Sequence, residues 1–291
     1  MSTKSTVPCD TVRKIESEPL VPFVSPSSVA CPRGYVHVER SLYMSEDEDL
    51  GAAKKAVRRL AEEDYTAAGE AYTTAAREGL AGHGSATHPA YERRDRSAAG
   101  RSLTCFARAA VCHRVAGEIS RGEKVSREGI AVAEELRDNV LTNGVERAAC
   151  EEFVGDLLSV VGDEGSSEAY ERAKEGYGAA DPEDPASETG RPFLQAGTEL
   201  IAHVSRPDDV GWDDVHGSGG EDALERRVRT KRSRVESFVK KRVRESKLHA
   251  PRGSTEYNTG RYECPDCGSD DVNYIAETTL CLRCSAYTER V

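Results

Sequence analysis

Asp64-Tyr65-Thr66-Ala67-Ala68-Gly69-Glu70-Ala71-Tyr72-Thr73-Thr74-Ala75-Ala76 is the stretch that decides the fold class of this chain. Ala68, Ala71, Tyr72, Ala75 and Ala76 recur three and four residues apart, so they line one face of a helix whose opposite face is polar. Gly79 and Gly82 stop it, which sets a helix over roughly 64–80. The same spacing continues on both sides. Upstream, Ala53, Val57, Leu60 and Ala61 predict a helix over 48–62. Downstream, a Gly-His-Gly-Ser-Ala-Thr-His-Pro loop at 82–89 precedes a long helix, roughly 91–120, presenting Leu103, Phe106, Ala107, Ala110, Val111 and Val115. Val132, Leu136 and Val140 mark a helix near 124–141, and Phe153, Val154, Leu157, Leu158 and Val161 mark one near 145–161. A last one covers 166–179. Short links between helices make antiparallel neighbours, so the expected fold is mainly α, with a helical body over 44–182.

Two stretches of that body resemble tetratricopeptide-type helical hairpins. Asp64-Tyr65-Thr66-Ala67-Ala68, with Tyr72 and Ala75 following, is similar to the second-helix pattern of that family. Ser167-Glu168-Ala169-Tyr170, with Ala173 and the closing Asp181-Pro182, is a looser copy. Lys55 and Arg59 stand where the first-helix pattern wants apolar residues, and no 34-residue register joins the copies. Two architectures therefore stand open, a divergent repeat and an irregular antiparallel bundle. The resemblance implies a concave surface for a peptide or partner helix.

The 291 residues carry 51 acidic and 40 basic side chains, a formal charge of −11, with only 37% hydrophobic and 6% aromatic residues. Arg supplies 30 of the basic residues and Lys 10, a balance shared by proteins of salt-adapted cytoplasms and by acidic proteins of GC-rich genomes. The charge is unevenly placed. Residues 1–43 hold five of the twelve prolines and no helical periodicity, and read as a disordered leader. Met44, the only internal Met, heads Met-Ser-Glu-Asp-Glu-Asp and offers a second start. Residues 183–222, rich in Asp-Pro and Gly-Ser-Gly, read as an acidic flexible linker with one short helix at 192–204. Trp212 in this linker, the only Trp, reads as a cover for the body or a docking aromatic.

The sign then reverses. Residues 224–252 have 12 basic against 3 acidic groups, net +9. Within 223–250 a helix is expected, with Leu224, Val228, Val235, Val239 and Val243 as a thin apolar stripe. Arg226, Arg227, Arg229, Lys231, Arg232, Arg234, Lys240, Lys241, Arg242 and Arg244 are the candidate contacts to nucleic acid or an acidic partner. The competing expectation is a helix packed by its stripe, with its charges paired to the acidic linker.

Cys264-Pro-Asp-Cys267-Gly-Ser and Cys281-Leu-Arg-Cys284 form two Cys-x2-Cys knuckles thirteen residues apart. That spacing lets four thiolates surround one tetrahedral ion, and Gly268 eases the first turn. Val272-Asn-Tyr-Ile-Ala276 and Thr278-Thr-Leu280 between them are β-prone. Residues 260–290 resemble the zinc-ribbon family, which implies a small β ribbon over 258–291 with one structural Zn2+ on Cys264, Cys267, Cys281 and Cys284. Iron in a rubredoxin-like site is the runner-up, with Ser285 where that family carries Gly. Glu277 stands alone at the tip, unlike the paired acids of transcript-cleavage ribbons.

The remaining Cys and His residues suggest no chemistry. Cys105, Cys112 with His113, and Cys150 read as small core residues, and His83 and His88 as loop polarity. No window is long and apolar enough for a membrane helix, and no phosphate loop, nucleophile–base set or small-molecule site emerges. The expected function is a non-enzymatic cytoplasmic adaptor. Its helical body binds a protein partner while the basic helix and ribbon contact nucleic acid or a transcription or translation machine. The alternative is a protein-interaction or oligomerisation module with a purely structural ribbon.

Overall fold

A computed structural model describes residues 51–82, 96–205, 209–211 and 220–291. The leader, Met44, His83, His88 and Trp212 lie outside the described residues. The chain is mostly helical, with a small antiparallel β region at its C-terminal end that carries the cysteine cluster. Among the described residues no helix is long and apolar enough to cross a membrane.

Helix α1 spans Gly51–Ala61, α2 Tyr65–Ala81, α3 Ser97–Val115 and α4 Ile119–Glu135, which ends in a π turn over Leu136–Val140. Next come α5 (Gly144–Val161), α6 (Ser166–Ala180), the short α7 (Pro185–Thr189), α8 (Pro192–Val204) and α9 (Ala223–Glu245). Local chemistry sets the ends. Asp64 caps α2 by accepting from the Ala67 N–H at 3.0 Å, and Asn143 caps α5 by accepting from the Glu146 N–H at 3.1 Å. Both helices stop at a glycine in the left-handed region, Gly82 (φ 77°) and Gly162 (φ 75°). Helix α4 begins five residues before its expected start, because Gly117 at φ 81° ends the α3 turn early.

Sequential helices pack side by side, but the body is not a stack of hairpins. Helix α3 packs against α2, α4, α5, α8 and α9, and α5 is enclosed by α4, α6, α8 and α9. In a solenoid each hairpin touches only its neighbours, whereas here two helices are wrapped nearly all round. The residues behind the tetratricopeptide resemblance, Tyr65, Ala68, Tyr72 and Ala75 on α2 and Ala169, Tyr170 and Ala173 on α6, are core residues of a bundle.

Residues 183–205, the first part of the expected linker, also depart from expectation. Helices α7 and α8 lie there, and Phe193, Leu194, Leu200 and Ile201 are wholly buried, with Phe193 edge-on to Phe153 at 5.6 Å. Acidic content gave this stretch its linker character, yet the apolar face of α8 supplies part of the central core.

The β region has strands β1 (Ser254–Glu256), β2 (Tyr262–Glu263), β3 (Val272–Ile275), β4 (Thr278–Cys281) and β5 (Glu289–Arg290). β1, β3 and β4 form one antiparallel sheet in that order, and β2 pairs with β5. The β3–β4 hairpin turns through Ala276 and Glu277, both in the left-handed region at φ 52° and 57°.

Candidate metal centre and the basic helix

The two knuckles fold as near copies. In the first, the Gly268 N–H donates to the Cys264 carbonyl at 2.8 Å and the Cys264 N–H to the Ser269 carbonyl at 2.9 Å. In the second, the Ser285 N–H donates to the Cys281 carbonyl at 2.9 Å and the Cys281 N–H to the Ala286 carbonyl at 2.7 Å. Gly268 (φ 68°) and Ser285 (φ 67°) occupy equivalent left-handed positions. Ser285 is buried there, and its Oγ accepts from the Ala250 N–H at 3.0 Å, tying the knuckle to the chain leaving α9. Asp271 braces both sides, accepting from the Asn258 N–H at 3.0 Å and from Arg283 Nε and Nη2 at 3.1 Å each.

These turns bring the Sγ atoms of Cys264, Cys267, Cys281 and Cys284 within 4.8 Å of one another. Cys264 Sγ lies 3.4 Å from Cys284 Sγ, and Cys267 Sγ lies 3.5 Å from Cys281 Sγ. A tetrahedral ion with metal–sulfur bonds of about 2.3 Å needs sulfurs about 3.8 Å apart, so the four fit one ion. A disulfide needs about 2.05 Å, and the cysteines are free. The Arg283 N–H also donates to Cys281 Sγ at 3.4 Å, as suits a sulfur carrying negative charge. Four such donors would fill the four positions of a tetrahedral ion. Among the described residues this is the one cluster of metal-binding side chains.

Cys105, Cys112 and Cys150 are buried thiols in the body. Burial pushes Cys105 up to about 11 and the other two higher still, so all three stay protonated and unreactive. His113 is buried too, with Nδ1 2.8 Å from Glu118 Oε2.

The basic helix α9 presents a different picture from its sequence. Arg227, Lys231 and Arg242 are buried inside the molecule. Arg227 Nε donates to both Glu152 carboxylate oxygens, at 2.8 and 3.1 Å. Lys231 uses all three of its N–H donors, on Glu152 Oε1 at 2.5 Å, on Asp156 Oδ2 and on the Gly197 carbonyl at 2.8 Å. From α6, the Tyr177 hydroxyl donates to Glu152 at 2.8 Å and the Tyr170 hydroxyl to Asp156 at 2.6 Å. Two carboxylates thus face two cations in a sealed, charge-balanced set joining α5, α6, α8 and α9.

Charges inside the set shift one another. Burial drives the Glu152 carboxyl up, but the adjacent Arg227 and Lys231 charges outweigh it and hold Glu152 below the ordinary carboxylate value. For Asp156 burial wins, despite Lys231, and lifts it to about 6. Burial and the adjoining carboxylates hold Tyr170 and Tyr177 well above the usual phenol value.

The other seven basic residues reach the surface, mostly paired. Arg226 and Arg229 meet Asp222 at 2.5 and 3.6 Å, Arg232 meets Glu171, and Lys240 meets Glu236 at 2.5 Å. Arg234 donates to the Asp209 carbonyl at 2.7 Å, and Lys241 lies 3.8 Å from the Asp209 carboxylate. Arg244 alone of the ten has no such partner among the described residues. Asp222 and Asp209, from the acidic stretch before α9, thus partner four of these seven, while Glu171 of the body and Glu236 of α9 partner two.

Comparison with family models, with curated proteins and with solved structures finds no match for this chain.

Proposed function

We propose that the chain is a non-enzymatic protein-interaction module, working where thiols stay reduced, with a zinc-ribbon-like end that holds one structural Zn2+ on Cys264, Cys267, Cys281 and Cys284. The observation that carries this reading is the sealing of Arg227 and Lys231 against Glu152 and Asp156. Cations so placed cannot reach a phosphate, and they make α9 a strap that closes the body. The closed four-thiolate shell supports a structural role for the ion, and the chemistry of the donors favours zinc.

A second reading has one observation in its favour. Arg229, Arg232, Arg234, Lys240 and Arg244 are exposed on one helix, and surface ion pairs of about 0–1 kcal/mol do not prevent such groups from meeting phosphate. Fluorescence anisotropy with mixed-sequence DNA and RNA at low salt separates the two. The interaction module predicts no binding tighter than about 10 µM. Tighter binding that falls steeply with salt, and is lost when Arg229, Arg232, Arg234 and Lys240 become Gln, would replace it with the nucleic-acid adaptor. Elemental analysis should find about one equivalent of zinc per chain.

A further inference from the structure

The geometry points to the metal centre as a clasp that holds α1 in the body, rather than as a self-contained end domain. Helix α1 has two apolar edges. Ala52, Ala56 and Leu60 join the main core, and α2 is the one helix against which α1 packs extensively among the described residues. Val57 belongs to a separate cluster, with Ala250 and Leu280, edged by Ala61, Ile275 and Ala276. Val57 is only 6% exposed, and what covers it is the ribbon.

The covering residues alternate with the metal ligands. Leu280, wholly buried, precedes Cys281, and Ser285, which grips Ala250, follows Cys284. At the hairpin tip, Arg58 donates through Nε and Nη2 to the Ala276 carbonyl at 3.4 and 3.3 Å, and Lys54 donates to Glu277 Oε1 at 2.9 Å. Ala276 and Glu277 adopt left-handed backbone that non-glycine residues disfavour. The paired strands set the turn, and the Lys54 and Arg58 contacts from α1 hold it further. The apolar interior of the ribbon is little more than Val272, Leu280, Leu282, Cys264 and Cys281, too small to stay folded without its ion. Withdrawing the metal therefore uncovers Val57 and leaves α1 held by its other edge, mainly against α2. Linkage makes the relation reciprocal, so docking of α1 must tighten the hold on the metal.

This inference rests on the four cysteines holding zinc, and the test separates the two claims. Hydrogen exchange read by mass spectrometry is compared for the full chain loaded with zinc and after treatment with excess EDTA. Residues 51–61 should lose protection together with 254–290, while α3 and α5 keep theirs. Unchanged exchange in 51–61, or loss throughout the body, overturns the clasp. A chain that takes up no zinc on reconstitution overturns the metal reading and the clasp together. One equivalent of zinc with an indifferent α1 overturns the clasp alone. In the other direction, Val57→Asp, which touches no ligand, should release zinc to a chromogenic chelator about 10-fold faster, a coupling of ordinary size. Lys54→Ala/Arg58→Ala, whose exposed contacts can go without threatening the fold, should speed release about twofold. A folded variant pair with unchanged release rates refutes the proposal.

Discussion

Replacing Lys231 with Met tests whether α9 is a strap or a displayed basic surface. The ammonium is wholly enclosed, and its three donors satisfy Glu152, Asp156 and the Gly197 carbonyl. Met keeps most of the side-chain volume but leaves two buried carboxylates facing one guanidinium. Breaking a buried pair from one side costs roughly 3–5 kcal/mol, because the stranded charge stays desolvated. For a body of this size that corresponds to a drop in Tm of roughly 6–20 °C. The loss should depend on pH with a definite sign. Asp156 is already raised to about 6, and without Lys231 it rises further, so the folded state binds a proton that the unfolded state releases above about pH 4. Stability of the variant then increases as pH falls from 8 to 5, and the deficit against wild type narrows. Adding Asp156→Asn removes the stranded carboxylate and should recover at least about 1 kcal/mol, a coupling measurable by a double-mutant cycle. Urea unfolding followed by far-ultraviolet circular dichroism, at fixed zinc concentration, reads all three proteins. A loss under about 1 kcal/mol, with no pH dependence and additive double-variant costs, would mean a solvated ammonium, and α9 would again be free to meet phosphate.

Three further outcomes follow from single sites. His203 is buried neutral, its Nε2 2.8 Å from the His249 carbonyl oxygen, and burial lowers it to about 3. The unfolded state therefore gains a proton first as pH falls through about 6.5, and by pH 4.5 the fold should lose about 3 kcal/mol that His203→Asn does not lose; equal acid slopes would refute this. Gly155→Ala places a Cβ 2.7 Å from the Tyr170 ring, which is pinned by its bond to Asp156. Thermal unfolding should show a loss of about 1–3 kcal/mol in spite of alanine's better helix propensity, and a raised Tm would contradict the packing. Cys281→Ser removes a buried ligand, and zinc content should fall below about a tenth of an equivalent by elemental analysis, whereas retention of a full equivalent would place the ion elsewhere.

How much of this was legible in the sequence depended on the range of the interactions. Helices α2, α5, α6 and α8 matched their expected spans to within a residue or so. Local chemistry sets the ends of α2 and α5, with Asp64 and Asn143 as caps and Gly82 and Gly162 as stops, and Pro192 sets the start of α8. The cysteine cluster was equally legible, since its spacing confines each knuckle to one turn. Tertiary burial was not. Acidic composition marked residues 183–222 as solvated, while Phe193, Leu194, Leu200 and Ile201 carry α8 into the core. Tyr65 and Tyr170 matched a repeat pattern, yet that pattern asks only for apolar residues at helical spacing, which any enclosed helix also supplies.

The inward turn of three basic residues of α9 is the instructive miss, because a signal was there. Its stripe runs Leu224, Val228, Val235, Val239, and the step from Val228 to Val235 spans seven residues where helical spacing demands an occupant three or four along. That occupant is Lys231. Arg227 lies four residues before it on the same side, and Arg242 continues the stripe three residues beyond Val239. These three are the buried basic residues of the helix. Helix α5 carries the complementary irregularity. Its core face runs Val145, Ala149, Glu152, Asp156, Val160 at spacings of four, three, four and four, with two carboxylates where apolar residues belong. Each anomaly is costly alone, since a buried charge must find its opposite. Two anomalies of opposite sign, both four residues apart, fit each other. Totals of Arg and Lys conceal such a match, because they weigh a residue on the stripe and one facing water alike. Position on the helical face separates them, and it marks Arg227 and Lys231 as inward-facing, with α5 the helix that can answer both.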